Sequence, residues 1–294
     1  MISHSKTPVE KINFNLEKYF QHIKLASNIP FELTLGTLKK IISHHNANFP
    51  YHNTPLYNAG KVSIPDRKIP SLDKDYLFAD MVKNHGGYCF QQLELLYTVL
   101  SELGFKLHRY TAKIILRPCG KMNIENTEKI KTHELLIIEL DKKRYLVDSG
   151  MANLSLREPL EFKEGHQKID DDEYRLTKDK NDVWTLDTKT ITKDKWFCMY
   201  QFLDVSVDYD EIIKHHTDLY LTPDFREIRD DRYLTGITTP EKRKYVIWFF
   251  KQPQSPENFG IYSSTKKNSN VEKKKELTTI EEATNISKVK FGIR

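Results

Sequence analysis

The sequence predicts an α+β protein. Three observations carry this: apolar residues at helical spacing through the first hundred positions, β-favourable alternation from about 105 to 205, and a mixed remainder. At 294 residues the chain is long enough for two or three domains with ample core. Basic and acidic residues, 46 and 41 in number, are interspersed and leave a net charge of +5. Such a balance suits an anionic small molecule and is no nucleic-acid footprint.

The helical part opens with a stripe of Leu16, Tyr19, Phe20 and Ile23, followed by Leu35, Leu38, Ile41 and Ile42 between Thr34 and His45. Pro50 and Pro55 bracket an irregular segment, Tyr51 to Thr54. A third helix is expected to start at Ser71 as N-cap and to run through Tyr76, Phe78, Met81 and Val82 to Gly86-Gly87. There the key stretch begins, Gly86-Gly87-Tyr88-Cys89-Phe90-Gln91-Gln92. Leu93, Leu96 and Leu100 extend it at helical spacing to Leu103-Gly104, which predicts a buried helix from about Cys89 to Leu103. Cys89 then sits in a first helical turn, where unpaired N–H groups and the positive end of the macrodipole favour a thiolate. On this stretch alone, a small apolar cysteine packed beneath a turn is the simpler reading. Residues further along reverse it.

In the β-rich part, Phe105 to Leu116 reads as a strand and Arg117 to Gly120 as a turn. His133 to Leu140 and Arg144 to Asp148 flank Asp141-Lys142-Lys143 as a hairpin; Trp184 to Ile191 and Trp196 to Val205 add strands. The alternation implies a barrel or a strongly bent sheet. A cysteine nucleophile needs a base, and the base an orienting acid. A turn on Asp141-Lys142 sets Asp148 opposite Leu135, two residues from His133 on the same face, so His133 and Asp148 become diagonal neighbours. A slip of one residue would separate them. Cys89, His133 and Asp148 are therefore the candidate catalytic residues.

After Asp208 a helical piece leads to strands at Tyr233 to Thr238 and Tyr245 to Phe250. Lys266 to Lys275 reads as a solvated loop, Leu277 to Ala283 as helix, and Lys288 to Ile293 as a last strand. The histidine pairs His44-His45 and His215-His216 read as surface positions with no metal-ligand spacing, so no metal is expected. Three scattered cysteines (Cys89, Cys119 and Cys198) fit a reducing compartment; without a signal-peptide pattern or a spanning apolar run, the expectation is a cytoplasmic protein without a membrane partner.

Gly-Gly-Tyr-Cys-Phe at 86 to 90, Leu103-Gly104-Phe105, Thr132-His133 and Tyr145-Leu-Val-Asp148-x-Gly150 together resemble the arylamine N-acetyltransferases over about residues 15 to 160. The resemblance implies an N-terminal helical bundle (1–104), a central β-barrel (105–207) and a C-terminal α/β lid (208–294). It also implies that Cys89 takes an acetyl group from acetyl-CoA and passes it to an arylamine, arylhydrazine or N-hydroxyarylamine. His133 matches the base and Asp148 the orienting acid. Departures from the family pattern are His85 for Arg, His52 for Glu, Gln91 for Glu, and Ser149-Gly150-Met151-Ala152-Asn153 for a Gly-x-Gly loop. Ser149 and Gly150 are what remains of that cofactor-binding loop. The substituted pair His52 and His85 is expected to lie close together and to make the Gly86-Gly87 turn acid-sensitive. Rival readings are a Cys-His-Asp hydrolase or transglutaminase-like enzyme, and a binding protein of the same shape.

Overall fold

The computed structural model describes residues 14–26, 32–119, 131–170, 172–189, 196–225, 229–238, 244–251, 258–265, 271–277 and 279–293. Capping side chains begin the first helices. Asn15 accepts the N–H groups of Glu17 and Lys18 to open α1 (Leu16–His22), and Thr34 accepts that of Thr37 to open α2 (Leu35–Asn48). The segment expected to be irregular instead holds a short strand, β1 (Tyr51–His52), and α3 (Thr54–Ala59), whose Pro55 sits in the first turn where no N–H is missed. Helix α4 (Lys74–Asn84) starts two residues later than expected: Asp73 accepts the Asp75 N–H and is its N-cap, while the Ser71 hydroxyl accepts the Asp73 N–H. Helix α5 (Cys89–Glu102) follows, with Leu93, Leu96 and Leu100 fully buried against Tyr19, Leu38, Ile41, Leu77 and Met81 of the helical core.

Eight antiparallel strands form a nearly closed barrel in the order β5-β4-β3-β2-β9-β8-β7-β6. They are β2 (Lys106–Pro118), β3 (His133–Leu140), β4 (Lys143–Val147), β5 (Leu160–Glu161), β6 (Gly165–Ile169), β7 (Asp172–Lys178), β8 (Val183–Lys189) and β9 (Phe197–Leu203). Strand β2 thus runs on through Pro118, where a turn was expected. The seam between β5 and β6 is bridged by one side chain: Gln167 accepts the Glu161 N–H at 3.0 Å and donates to the Glu161 carbonyl at 2.7 Å. Strand β3 explains the apolar run Leu-Leu-Ile-Ile. Leu135 and Ile137 fill the barrel interior while Leu136 and Ile138 join the helical core, so both faces are buried.

A second sheet, β1-β10-β11-β12-β13, is built from β10 (Arg232–Thr238), β11 (Lys244–Lys251), β12 (Asn258–Thr265) and β13 (Val271–Leu277). Two helices, α6 (Tyr209–Leu221) and α7 (Ile280–Phe291), complete the chain. Two expectations are corrected here. Residues 271–275 of the lysine-rich stretch belong to edge strand β13, and 266–270 lie outside the described residues. The stretch expected as a last strand is the end of α7, opened by the Thr279 N-cap and closed by Gly292 at φ 70°.

The turn before α5 is tied down by buried amides and imidazoles. Gly86 has φ 121°, and a Cβ there would lie 1.9 Å from the Pro50 carbonyl oxygen. Gln92 Nε2 lies 3.1–3.2 Å from the carbonyls of Phe49, Pro50 and Gly87. Its Oε1 therefore accepts from His45 Nε2 at 2.7 Å, and His45 Nδ1 accepts from the Tyr19 hydroxyl at 2.9 Å. Of the histidines expected at the surface, His45, His215 and His216 are buried and His44 is half-buried, because their helices pack these positions against the core. His52 pairs its backbone with Thr235 of β10 and donates its N–H to Gly87 O. Its ring is 1% exposed, and neither nitrogen has a hydrogen-bond partner among the described residues. Burial, reinforced by the charge of nearby His85, lowers its pKa to about 4. The two rings share no hydrogen bond.

Two predictions follow from this turn. Gly86→Ala should cost on the order of 3 kcal/mol in urea unfolding, since it adds backbone strain and a clash; a loss below about 0.5 kcal/mol would show that the turn can relax. Because folding lowers the His52 pKa from its ordinary 6.5, the neutral ring favours the folded state. Its contribution is present above about pH 6.5 and is lost as pH falls towards about 4. The paired change His52→Glu with His85→Arg should make the acid loss of thermal stability shallower. An unchanged pH profile would assign that loss to other groups.

Candidate active site

The nucleophile candidate Cys89 is the first residue of α5, with Tyr88 as N-cap, and is 4% exposed. Its Sγ donates to the Thr132 carbonyl at 3.8 Å, next to His133 at the start of β3. The β3–β4 hairpin pairs Leu136 with Val147, and this register brings Asp148, just past β4, diagonally onto His133. His133 Nε2 and Asp148 Oδ2 lie 2.9 Å apart, and both side chains are fully buried. Asp148 Oδ1 accepts the Gly150 N–H at 2.8 Å. The carboxylate can only accept, so His133 Nε2 carries the hydrogen. Burial opposes a charge on His133, but the charge and hydrogen bond of Asp148 outweigh it, with Cys89 adding to them, and push its pKa up to about 10. The second ring nitrogen, Nδ1, has no hydrogen-bond partner among the described residues. The structure therefore brings together all three sequence-predicted residues.

Gly150 is packed on Cys89. A Cβ at this position would stand 2.8 Å from Cys89 Cα, Cys89 Cβ and Leu93 Cδ2. That close approach explains why a glycine must follow two residues after Asp148. Ser149, its neighbour, is 3% exposed, and its hydroxyl has no partner among the described residues. Gln91 holds the turn from the other side: its Oε1 accepts the Tyr88 N–H at 3.3 Å and its Nε2 donates to Asp80 Oδ2 at 3.0 Å. A neutral amide thus serves both bonds where the family pattern has a carboxylate.

Several residues of this neighbourhood were not singled out by the sequence. Tyr200 of β9 covers His133, ring centroids 5.3 Å apart, and its buried hydroxyl has no partner among the described residues. Behind the hairpin, Arg109 binds Glu94 through Nε at 2.5 Å and Nη2 at 3.0 Å, with the Tyr97 ring 3.3 Å from its guanidinium carbon. Glu134 is fully buried beside them, and burial, then the Glu94 charge, hold its pKa well above the usual carboxylate range. The only signal for this cluster was charge inside apolar patterns, Glu94 in α5 and Glu134 in β3. The other thiols lie elsewhere. Burial, then Asp187, pushes Cys119 up to about 11 and Cys198 up to about 12. Among the described residues, no three side chains are grouped to hold a metal ion, and no helix is long and apolar enough to cross a membrane.

Residues 34–294 match the sequence model of the N-acetyltransferase family. An arylamine N-acetyltransferase of Mycolicibacterium smegmatis is 31% identical over 173 residues, covering 57% of this chain and 58% of that relative, less than two thirds of its length. Human arylamine N-acetyltransferase 2 is 25% identical, covering 84% of this chain and 80% of its own. Among solved structures, the Salmonella typhimurium arylamine N-acetyltransferase superposes with TM-score 0.74 at 19% identity, covering 95% of this chain and 90% of that one. The Mycobacterium marinum enzyme in complex with CoA gives 0.73 at 19% identity, covering 95% and 93%. The fold is theirs, and with the family match over residues 34–294, this chain belongs to the arylamine N-acetyltransferase family.

Proposed function

We propose that this protein is a ping-pong acetyltransferase that moves an acetyl group from acetyl-CoA to an arylamine, arylhydrazine or N-hydroxyarylamine through an acetyl-cysteine at Cys89. The observation that carries the reading is the fully buried His133–Asp148 pair, 2.9 Å apart, next to a cysteine at a helix N-terminus. In the resting pair His133 already holds the Cys89 proton at Nδ1 as imidazolium, which Asp148 stabilises. The thiolate attacks the thioester carbonyl. A carbon–sulfur bond to Cys89 forms, that to CoA breaks, and CoA takes the proton back from His133. An amine then attacks the acetyl-cysteine, His133 accepts the amine proton, and Cys89 leaves and regains it. Backbone N–H groups at the start of α5 are the donors in place for the tetrahedral oxyanion. Ser149 and Gly150 are the proposed CoA contacts, supported by the buried unpartnered Ser149 hydroxyl and the tight approach of Gly150 to Cys89. We further propose three functional parts, 1–104, 105–207 and 208–294, acting on a small aromatic amine in the cytoplasm.

Limiting iodoacetamide should label Cys89 before Cys119 or Cys198 and abolish transfer. Asp148→Asn should lower the acetylation rate by roughly three to four orders of magnitude with the circular dichroism unchanged. Activity surviving full Cys89 labelling, or an Asp148→Asn protein acetylating at the wild-type rate, would overturn the assignment. Turnover of a peptide or glutamine amide with no use of acetyl-CoA would favour a hydrolase or transglutaminase-like enzyme instead.

A further inference from the structure

Cys89 is flanked by two fully buried aromatic residues, Tyr88 and Phe90, and both meet the same residue of another helix. His216 of α6 lies with its ring centroid 5.8 Å from that of Tyr88, at an interplanar angle of 22°, and 5.7 Å from that of Phe90. Its Nε2 is hydrogen-bonded to the Tyr88 hydroxyl, which also accepts from the Tyr220 hydroxyl at 3.0 Å. We infer that His216 is a positioning residue for Cys89: by holding Tyr88 and Phe90 together, it fixes the direction in which the first turn of α5 presents the thiol. This rests on the reading of Cys89 as the nucleophile.

The bond order follows from the donors. Tyr220 gives its hydrogen to Tyr88, so Tyr88 gives its own to His216 Nε2. That requires a neutral ring, and burial alone lowers the His216 pKa to about 3, with no part played by Cys89. His216 therefore acts on the nucleophile through geometry and not through charge. Its own helix is anchored, because buried Arg229 Nη1 donates to the carbonyls of Leu219, Tyr220 and Thr222 at 3.0–3.3 Å and so holds the end of α6. A misplacement of about 1 Å can reduce a reaction on the order of a hundredfold, so a small rotation of this turn is enough to matter.

The test is the rate constant for iodoacetamide alkylation of Cys89, read by peptide mass well below the unfolding temperature, alongside kcat and KM for acetyl transfer. His216→Phe and Tyr88→Phe should each slow alkylation by about tenfold, lowering kcat with little change in KM. The double variant should be no slower than the worse single one, as expected for partners in one interaction. Tyr220→Phe should cost less than about threefold, because the Tyr88–His216 bond remains. The pH midpoint of alkylation should stay where it is in the wild type. Full-rate alkylation in both single variants would overturn the inference, even if their thermal midpoints fell, since that is the mark of a merely structural role. Additive losses, or a shifted midpoint at an unchanged plateau, would overturn it too. Wild-type protein that alkylates at Cys119 or Cys198 first would instead refute the nucleophile assignment, and this inference with it.

Discussion

Asp148 has no solvent exposure, and its two oxygens are satisfied by His133 Nε2 and the Gly150 N–H. A buried carboxylate is tolerated only with such partners, because removing either leaves a charge with no water to solvate it. Most of the site geometry follows from this. The hairpin must keep the register that sets Leu136 against Val147, or Asp148 would face away from His133. The loop after Asp148 must turn back within two residues to offer its N–H, which carries Gly150 onto Cys89 so closely that no Cβ fits. One buried pair thus sets strand register, loop shape and the position of the thiol against the imidazole.

The helical side meets the same point with a different chemistry. Neutral groups hold the turn before α5: the Gln92 amide, the His45 imidazole and the Tyr19 hydroxyl run in series from the core to the Gly87 carbonyl. Burial lowers His45 to about 3, as it lowers His52 to about 4. The groups of that series are uncharged, and the positions where the family pattern places an Arg and a Glu hold His85 and His52. Permanent charge is displaced to Glu94 and Arg109, which cross from α5 to the barrel strand β2. Such a bidentate pair fixes orientation more than it adds stability.

How much of this was legible in the sequence depends on the range of the interaction. Leu93, Leu96 and Leu100 declare a helix because their spacing is local, and the Asp141-Lys142 turn declares the hairpin register for the same reason. The meeting of Cys89 with the hairpin needed the ordered set of motifs, since no local pattern spans the 43 residues between Cys89 and Thr132. Elsewhere, local pattern misled. Lysines masked the edge strand β13, and the β-branched ending Val289 to Ile293 masked a helix whose signals are its caps, Thr279 and Gly292. His45 and His216 looked like surface residues because polarity argues for exposure, while their partners Gln92 and Tyr88 are far away in sequence. Glu134 was invisible as a site residue, since one acid at the start of an apolar strand has no signature of its own.

The central claim is that Cys89, served by His133 and Asp148, is the atom that carries the acetyl group. Intact mass of the pure protein after brief incubation with acetyl-CoA, followed by peptide mapping, tests it most directly. The account predicts a single acetyl adduct on Cys89 that disappears when an arylamine is added, with the acetyl group recovered on the amine. No adduct on Cys89, or acetyl transfer that persists in Cys89→Ala, would contradict it.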